Sequence, residues 1–385
     1  MLLRFVTAFN GSTAHWRWLP AALRASLRAR AIDGVPASCV VTIPYVEIAT
    51  AALSSCLPQA FRPRLVYAGL ASFDRLAAGP ALQLRPDIVV GFENGCRNVF
   101  HRAKAAGALC VLDAASVHHT AQPVESGEDN AEFWRRVNAR KDEEIALADR
   151  IVVLSLYAKE SYVAAGIPPG KIEVIPPGVS LSPPVATVEA KPTGGGIRFL
   201  FVGNVKFAKG IDLLLSTFAS LDQKGKRLSI AGAVAEPGLL PSPLPEGVEV
   251  LGKLDRDALA RAYASADILV LPSRSDGFGL VVAEAMSAGL PVIVSSATGA
   301  KDVVAHGENG WIVDAGSVPA LQEAMRAASE HRDRLAEMGL RARDAARSLT
   351  WARYGDRIRT FYAQLLNTAV SDAGIPARQE SERHA

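Results

Sequence analysis

Two carboxylates stand eight positions apart in the stretch SDGFGLVVAEAMSAG, residues 275–289. Asp276, on a loop, can accept hydrogen bonds from sugar hydroxyls, and Glu284, about one turn into a helix, can accept from both hydroxyls of a ribose. The glycines between them permit close backbone approach, and amides at a helix start can receive an anion. We expect the backbone amides of four successive residues to bind the sugar: Gly277, Phe278, Gly279 and Leu280. The stretch therefore predicts a site for a sugar nucleotide.

A second motif, FVGNVKFAKGIDLLL at residues 201–215, supplies positive charge. A strand ends at Gly203, the short loop after it carries Lys206 and Lys209, and a helix follows. Lysines at a strand end and a helix start can neutralise a pyrophosphate. The motif therefore predicts the diphosphate part of the same site.

Each motif taken alone also fits an ordinary surface, as a solvated lysine pair near a turn or as two acids around a helix start. Both motifs follow strands in the same half of the chain, however. Because the carboxyl ends of parallel strands meet at one edge of a sheet, we expect the two motifs to form one site.

The triplet DRD at 255–257 has the appearance of a metal-binding motif, but the helical pattern ALARAYASA follows it directly. Asp255 or Asp257 is therefore interpreted as a helix cap. The sequence predicts no metal site.

The elements that must position these motifs alternate between short apolar runs and helical patterns. The predicted strands of the first half are residues 2–9, 39–45, 62–69, 87–93, 109–116, 150–155 and 170–179. Those of the second half are residues 197–203, 227–232, 248–254, 267–273, 291–296 and 310–315, with helices at 210–221, 257–266 and 281–289. Continuous β-branched runs with helical spacers are typical of parallel sheets covered on both faces.

A segment rich in proline and glycine, residues 181–196, separates the two halves and is interpreted as a linker. We therefore predict an α/β fold with two doubly wound, Rossmann-like domains that face a central cleft, at 1–180 and 197–350. An amphipathic helix at 351–368 and a frayed polar tail at 369–385 end the chain.

Composition excludes several classes of protein. A formal charge of +3 over 385 residues, without basic runs, argues against a nucleic-acid partner. The four cysteines lack CxxC spacing and are expected to be free thiols in a reducing compartment. No apolar stretch reaches the ~18 residues that span a bilayer. We expect a cytoplasmic protein.

Residues 198–351 resemble the retaining glycosyltransferases of family 4 (glycosyl transferases group 1), which have the GT-B fold. The run SADILVLPSRSDGFGLVVAEAMSAGLPVIVSS follows the family pattern almost continuously, as does HGENGWIV at 306–313. Asp276 and Glu284 correspond to the acid-x7-acid signature of the family. LADRIVVLS (147–155) and KIEVIPPGV (171–179) resemble the end of its first domain.

The resemblance implies a nucleoside-diphosphate hexose donor held by the second domain and a saccharide or lipid-linked acceptor held largely by the first. It implies transfer with retained anomeric configuration, without a metal or cofactor, in bacterial polysaccharide or glycolipid synthesis. It also implies that the helix at 351–366 crosses back to the first domain. Lys209 would bind the diphosphate and stabilise the departing nucleotide.

The resemblance further implies a histidine that faces the donor sugar and phosphate. His118 is preferred for this role, with His119 as the alternative. The expected catalytic residues are thus His118, Asp276 and Lys209. The weaker candidates for the acceptor side or the cleft are Asn10, Gly11, Glu93 and Asn94.

The chain departs from the family pattern at three places. Asp276 stands where glutamate is usual, and Asn204 stands where an arginine usually precedes the lysine. Whether Lys206 compensates for Asn204 stays open. The glycine-rich loop near the N-terminus is reduced to FNGS.

These departures keep other functions in view. A nucleotide-sugar epimerase would turn over donor without acceptor, and a non-catalytic partner subunit would bind nucleotide without turnover. An NAD-dependent oxidoreductase is disfavoured because no GxGxxG follows the first strand.

The stretch 15–32, which contains the predicted helix at 18–32, places Arg17, Arg24 and Arg28 near one another and has two tryptophans at its start. A basic amphipathic helix of this kind suits either a solvated surface or peripheral contact with an anionic membrane. A lipid-linked acceptor would fit the second interpretation.

Overall fold

A computed structural model of the protein describes residues 4–7, 35–43, 46, 49–50, 53, 61–123, 131–179 and 196–372. The chain divides into two compact units. The first contains residues 1–114, 126–152 and 364–385, and the second contains residues 115–125 and 153–363.

The first unit is built from short parallel strands and from helices. Its strands are β1 (Phe5–Thr7), β2 (Val40–Thr42), β3 (Ile88–Phe92), β4 (Leu109–Ala114) and β5 (Arg150–Val153), whose last residue is counted with the second unit. Its helices are α1 (Arg62–Leu82), α2 (Arg97–Ala105) and α3 (Ala131–Leu147). Strand β1 pairs with β2, and β3 pairs with β4, both in parallel.

One strand prediction in this unit is wrong. Residues 62–69 form the first turns of α1, which continues to Leu82. Pro63 fits a helix start because a residue in the first turn needs no amide hydrogen bond. The apolar run LVYA is too short for its periodicity to separate a strand from a helix.

The second unit contains the large hydrophobic core of the chain. Its strands are β6 (Ile172–Val174), β7 (Arg198–Val202), β8 (Arg227–Ala231), β9 (Val248–Gly252), β10 (Ile268–Leu271), β11 (Val292–Ser295) and β12 (Gly310–Val313). Its helices are α4 (Leu156–Ala164), α5 (Ile211–Ser220), α6 (Arg256–Ser265), α7 (Leu280–Ser287), α8 (Val318–Glu330) and α9 (Leu335–Ala346). The last helix, α10 (Trp351–Asp372), is divided at residue 364 between the two units.

The strand order in the second unit is β12–β11–β10–β7–β8–β9, with every pairing parallel. With β7 to β12 numbered 1 to 6, this order is 6-5-4-1-2-3, the doubly wound arrangement. The strands after the first are added on one side of it, and the strands after the fourth are added on the opposite side. Strands β10 and β11 are buried at every position because helices cover both faces of the sheet. The predicted fold class, parallel α/β in Rossmann-like units, is confirmed.

Several other predictions have partial outcomes. Most of the predicted linker, the basic helix at 18–32 and the end of the tail lie outside the described residues, so the boundary at 180 stays a prediction. The structure counts residues 153–179 with the second unit. The described cysteines are free thiols: Cys39, Cys96 and Cys110. Among the described residues, no helix combines the length and apolar character needed to cross a bilayer.

Candidate functional site

The two sequence motifs follow adjacent strands of the second unit. Strand β7 pairs with β10, with Phe199 opposite Ile268. The loop after β7 runs from Gly203 to Gly210, and the loop after β10 runs from 272 to Gly279. Successive strands are added to one side of β7 and to the opposite side of β10, and ligands of doubly wound sheets bind beyond the carboxyl ends of the strands at such a point. The prediction that both motifs lie at one sheet edge is confirmed.

Glycines allow the β7–α5 loop to pass close to its neighbours. A Cβ atom on Gly210 would lie 2.1 Å from the carbonyl oxygen of Pro272, and the backbone there has a left-handed φ of +69°. A Cβ on Gly232 would lie 1.9 Å from the carbonyl oxygen of Gly203. Because both contacts are with backbone atoms, only glycine fits at Gly210 and Gly232.

Arg274 joins the two loops. Its guanidinium donates to both carboxylate oxygens of Asp212 at 2.7 and 2.6 Å and lies 3.8 Å from the centre of the Phe207 ring. Burial opposes the charge of Asp212, but the hydrogen bonds and charge of Arg274 outweigh it and lower the pKa of that carboxyl. The positive charge of Arg274 is therefore neutralised by Asp212.

Lys209 and Asp276 form an ion pair between the same two loops. The Lys209 side chain is 28% exposed and that of Asp276 is 13% exposed. The pair places a positive group beside the predicted sugar-binding acid. Because of this ion pair, a diphosphate that binds to Lys209 would lie close to the negative charge of Asp276.

The backbone around Asp276 is fixed by the segment after β11. The Asp276 amide donates to Ala297 O at 2.9 Å, and its carbonyl accepts from the amide of Gly299 at 3.0 Å. Phe278 is 3% exposed and belongs to the hydrophobic core, so its side chain anchors the loop. Only its backbone could serve a ligand.

Helix α7 begins without a side-chain cap. Its N-cap residue is Gly279, which has no side chain and a left-handed φ of +81°, and the first turn contains no acidic residue. In contrast, helices α4, α6 and α8 are capped by Ser155, Asp255 and Ser317. The amides at the start of α7, from Leu280 on, are therefore suited to bind an anion or a hydroxyl oxygen.

Glu284 lies one turn into α7, as predicted, and has a partner that the sequence did not indicate. Its Oε2 atom accepts a hydrogen bond of 2.9 Å from the hydroxyl of Tyr263 on α6. Tyr263 is 3% exposed. Burial and then the neighbouring charge of Glu284 raise the pKa of Tyr263, so its hydroxyl remains a donor.

The other predicted donor-binding residues of the β7–α5 loop differ in exposure. Asn204 is exposed, Lys206 is half-buried, and Gly203 ends the strand with its amide bonded to Ala231 O at 2.9 Å. Lys206 lies in the same short loop as Lys209, as it must if both lysines bind one diphosphate. Compensation for Asn204 stays a prediction.

His118 is almost fully buried in the second unit. Its Nδ1 accepts from the Thr120 amide at 3.3 Å, its own amide donates to the Ser161 hydroxyl at 2.9 Å, and its ring stacks 4.2 Å from that of His119. Nδ1 is thus bonded within the local turn that follows His118. The segment before it contacts the β10–α7 loop, since a Cβ on Gly277 would lie 2.4 Å from Ala115 O.

Glu93 and Asn94 lie in the first unit, where they have structural partners. Glu93 forms an ion pair of 3.4 Å with Lys141, and the Asn94 amide donates to Glu144 at 2.6 Å. Asn94 has a left-handed φ of +69°. Their assignment to an acceptor site stays a prediction, as does that of Asn10 and Gly11, which lie outside the described residues.

The helix-cap interpretation of the DRD triplet is confirmed. Asp255 accepts a hydrogen bond of 2.8 Å from the Ala258 amide at the start of α6. This is the expected geometry of an N-cap aspartate.

Sequence reasoning missed three residues that shape the site. Nothing in the sequence around Arg274, in a loop, or Tyr263, in a helix, indicated a role in the site. Ser155 had a signal, because a serine before the helical pattern of α4 is a typical N-cap. Its second contact, to the β10–α7 loop, had none.

The arrangement can bind an anion and a polyol next to each other. The start of α7 and the lysines of the β7–α5 loop provide positive potential, while Asp276 and Glu284 provide acceptors on either side of that start.

Comparison with known proteins agrees with this chemistry. Residues 196–331 match the family described as "Glycosyl transferases group 1", and residues 50–183 match "Glycosyltransferase Family 4". D-inositol 3-phosphate glycosyltransferase of Xylanimonas cellulosilytica is 28% identical over 245 residues, which cover 58% of this chain and 59% of that protein. The Nocardia farcinica protein of the same name is 30% identical over 243 residues, covering 58% and 54%. The match thus spans little more than half the length of these relatives.

Solved structures share the fold. Sucrose-phosphate synthase of Thermosynechococcus elongatus superposes with a TM-score of 0.67 at 23% identity, covering 81% of each chain. Anabaena Alr3699/HepE in complex with UDP-glucose superposes with a TM-score of 0.59 at 17% identity, covering 77% of this chain and 82% of that one.

Proposed function

Because the chain belongs to glycosyltransferase family 4 and has the GT-B fold, we propose that it transfers a hexose from a nucleoside-diphosphate sugar to a hydroxyl group. The acceptor is a saccharide or a lipid-linked saccharide, and the anomeric configuration is retained. The observation that carries this proposal is the grouping of Lys209, Asp276 and Glu284 around the uncapped start of α7.

Each part of the donor has a partner in this grouping. Glu284, oriented by Tyr263, accepts from the ribose hydroxyls. Lys209, with Lys206 in the same loop, binds the diphosphate, because Arg274 is neutralised by Asp212 and Asn204 carries no charge. Asp276 and the amides from Gly277 to Leu280 bind the hexose.

The chemical step needs stabilisation of the leaving group. The bond between the anomeric carbon and the diphosphate oxygen breaks, the acceptor oxygen bonds to the same face, and its proton passes to the departing phosphate. Lys209 and the dipole of α7 stabilise the negative charge that develops on the diphosphate. His118 orients the sugar and the phosphate in this proposal, without a metal or cofactor.

The acceptor side of the proposal rests on the sequence. The basic amphipathic pattern at 18–32 suits a peripheral contact with an anionic membrane, where a lipid-linked acceptor would be found. The biological setting that follows is polysaccharide or glycolipid synthesis.

A thermal-shift screen tests the donor part directly. The purified protein is heated with UDP, GDP, ADP and their glucose, galactose and mannose conjugates. A ligand at ~100 times its Kd adds ~2.7 kcal/mol, or roughly 5–10 °C in Tm for a cooperative unit of about 150–250 residues. A shift with one nucleotide and its sugar conjugate supports the proposal, and no shift with any of them contradicts it.

Turnover separates the transferase from its rivals. An epimerase converts the sugar conjugate without acceptor, and a non-catalytic partner binds it without converting it. Transfer with retention predicts an acceptor-dependent release of nucleotide and, by NMR, a product with the anomeric configuration of the donor.

A further inference from the structure

The start of helix α4 contacts the β10–α7 loop on both sides of Asp276. Ser155, the N-cap residue, is fully buried, and its hydroxyl donates to the carbonyl oxygen of Gly277 at 2.7 Å. The hydroxyl of Tyr157, two residues later, lies near the side chain of Ser275 and interacts with it electrostatically. The residues before and after Asp276 thus each have a side chain of the same helix start beside them.

The contact at Gly277 leaves no free space. A Cβ on Gly299 would lie 2.2 Å from Gly277 O and 2.4 Å from the Ser155 hydroxyl oxygen. The Gly299 amide also donates to Asp276 O at 3.0 Å. Helix α4 and the segment after β11 therefore hold the backbone of the loop from two directions.

Two further contacts fix α4 to that segment. The amide of Leu156 donates to Asp302 Oδ2 at 2.8 Å, and the Lys301 ammonium lies 5.2 Å from the centre of the Tyr157 ring. Tyr157 is therefore held through its ring. A displacement of α4 would move Gly277 through the Ser155 hydroxyl, and Asp276 with it.

The Ser155 hydroxyl does more than cap its helix. It accepts from the Ala158 amide at 3.0 Å, which is the capping bond, and gives its own proton to Gly277. Ser317, the N-cap of α8, makes the corresponding capping bond to Ala320 at 3.3 Å. A comparison of the two serines can therefore separate the capping effect from the effect on the loop.

We propose that Ser155 and Tyr157 are positioning residues for Asp276, and that they determine how well its carboxylate meets the hexose. The inference rests on the proposed function, in which Asp276 binds the sugar. Displacement of a positioned group by about 1 Å costs on the order of 100-fold in rate, so small shifts of this loop matter. Nucleotide binding at Lys209 and Glu284 should change little.

Binding measurements test this without an acceptor. The Kd values of UDP and UDP-glucose, or of the pair that stabilises the wild type in the screen, are measured by calorimetry for the wild type, Ser155→Ala, Tyr157→Phe and the control Ser317→Ala. The ratio of the two Kd values reports the contribution of the sugar. We expect Ser155→Ala to lower the preference for the sugar conjugate by about 3- to 10-fold, as for one lost hydrogen bond, and Tyr157→Phe to lower it by a smaller factor, about 2- to 3-fold. Ser317→Ala should leave it unchanged, although both cap variants lose similar stability.

A double-mutant cycle excludes a merely structural role. In an Asp276→Ala background, Ser155→Ala and Tyr157→Phe should have no further effect on the ratio. An unchanged ratio in a folded Ser155→Ala variant, or a further drop in the Asp276→Ala background, overturns the positioning role. If Ser155→Ala fails to fold, Tyr157→Phe decides. If the wild type binds no nucleotide, the proposed function itself fails, and that outcome is distinct from a wild type that binds and variants that behave like it.

Discussion

Lys209 and Asp276, 67 residues apart in the chain, form an ion pair that joins the loop after β7 to the loop after β10. In the proposed reaction the first residue binds diphosphate and the second binds the hexose. The pair therefore lies where the sugar and the diphosphate meet. A bare nucleoside diphosphate has to compete with the Asp276 carboxylate for the lysine, whereas the sugar conjugate gives the carboxylate new partners.

Asp276→Asn should separate these effects. With the carboxylate neutralised, Lys209 is available to phosphate, and the affinity for a bare nucleoside diphosphate should rise by up to about fivefold, the equivalent of about 1 kcal/mol. Transfer should fall on the order of 100-fold because the hexose loses the negative charge and one of the two acceptor oxygens of the carboxylate. Calorimetry and donor turnover measure the two quantities.

Lys209→Ala serves as the comparison for that variant. It should weaken the binding of the nucleoside diphosphate and of its sugar conjugate alike, because both carry the diphosphate. A parallel loss of nucleotide affinity and transfer in Asp276→Asn would show that Asp276 does not act on the sugar.

Tyr263 and Glu284 lead to a prediction about the ribose. Tyr263→Phe removes the hydroxyl that donates to Glu284 Oε2 and should weaken nucleotide binding by about 3- to 10-fold, as for one ordinary hydrogen bond, because it acts on the ribose only through Glu284. Glu284→Ala should weaken it further. Neither variant should alter the ratio of Kd values between the nucleotide and its sugar conjugate.

Deoxynucleotides provide the control for this prediction. The wild type should prefer UDP over 2′-deoxy-UDP, or the corresponding pair for another base, and Glu284→Ala should bind the two about equally. A preference that persists in Glu284→Ala would remove the ribose role from this residue.

The sequence was sufficient for those parts of the site that depend on local pattern. Gly203, Lys209 and Asp276 follow strands whose apolar runs are unmistakable, and parallel pairing places strand ends at one edge. The Asp255 cap was predictable because capping is decided within four residues.

Contacts between side chains distant in the chain could not be predicted. The bonds of Tyr263 to Glu284 and of Ser155 to Gly277 depend on how whole helices pack, and periodicity carries no information about that. The misassigned strand at 62–69 has a related cause. Its four apolar residues fit either element, and the 21-residue helix is recognisable only from its continuation.

Asp113, at the end of β4, predicts a dependence of stability on pH. Burial raises the pKa of its carboxyl from the ordinary 3.8 to about 6. Between these values the folded protein binds more protons than the unfolded chain, so the contribution of Asp113 to stability becomes less favourable as pH rises through this window. Above about pH 6 the full cost is present, about 2–3 kcal/mol at 1.36 kcal/mol per pKa unit.

Asp113→Asn should therefore stabilise the protein at pH 7.5 and have little effect at pH 4. Urea unfolding at the two pH values measures the difference. Asp87→Asn is the control, since Asp87 is exposed in the same unit and should change stability little at either pH. Equal stabilisation by Asp113→Asn at both pH values would contradict a titration effect.

The first unit contains a buried charge network that tests the structural interpretation of its acids. Arg140 bonds to Asp74 at 2.7 Å and to Glu144 at 3.3 Å, and both carboxylates are fully buried. The two acids accept from backbone amides at the start of α2, among them those of Cys96 and Val99. The network therefore fixes α2 against α3.

Arg140→Met should lower the free energy of unfolding by about 3–5 kcal/mol, because it leaves two buried carboxylates without their shared cation. Arg136→Met, on the same helix, is the control. Arg136 is exposed and forms a surface ion pair with Glu132, so its loss should lower the free energy of unfolding by less than about 1 kcal/mol. Urea unfolding at neutral pH measures both. Similar losses in the two variants would mean that the network contributes no more than a surface ion pair.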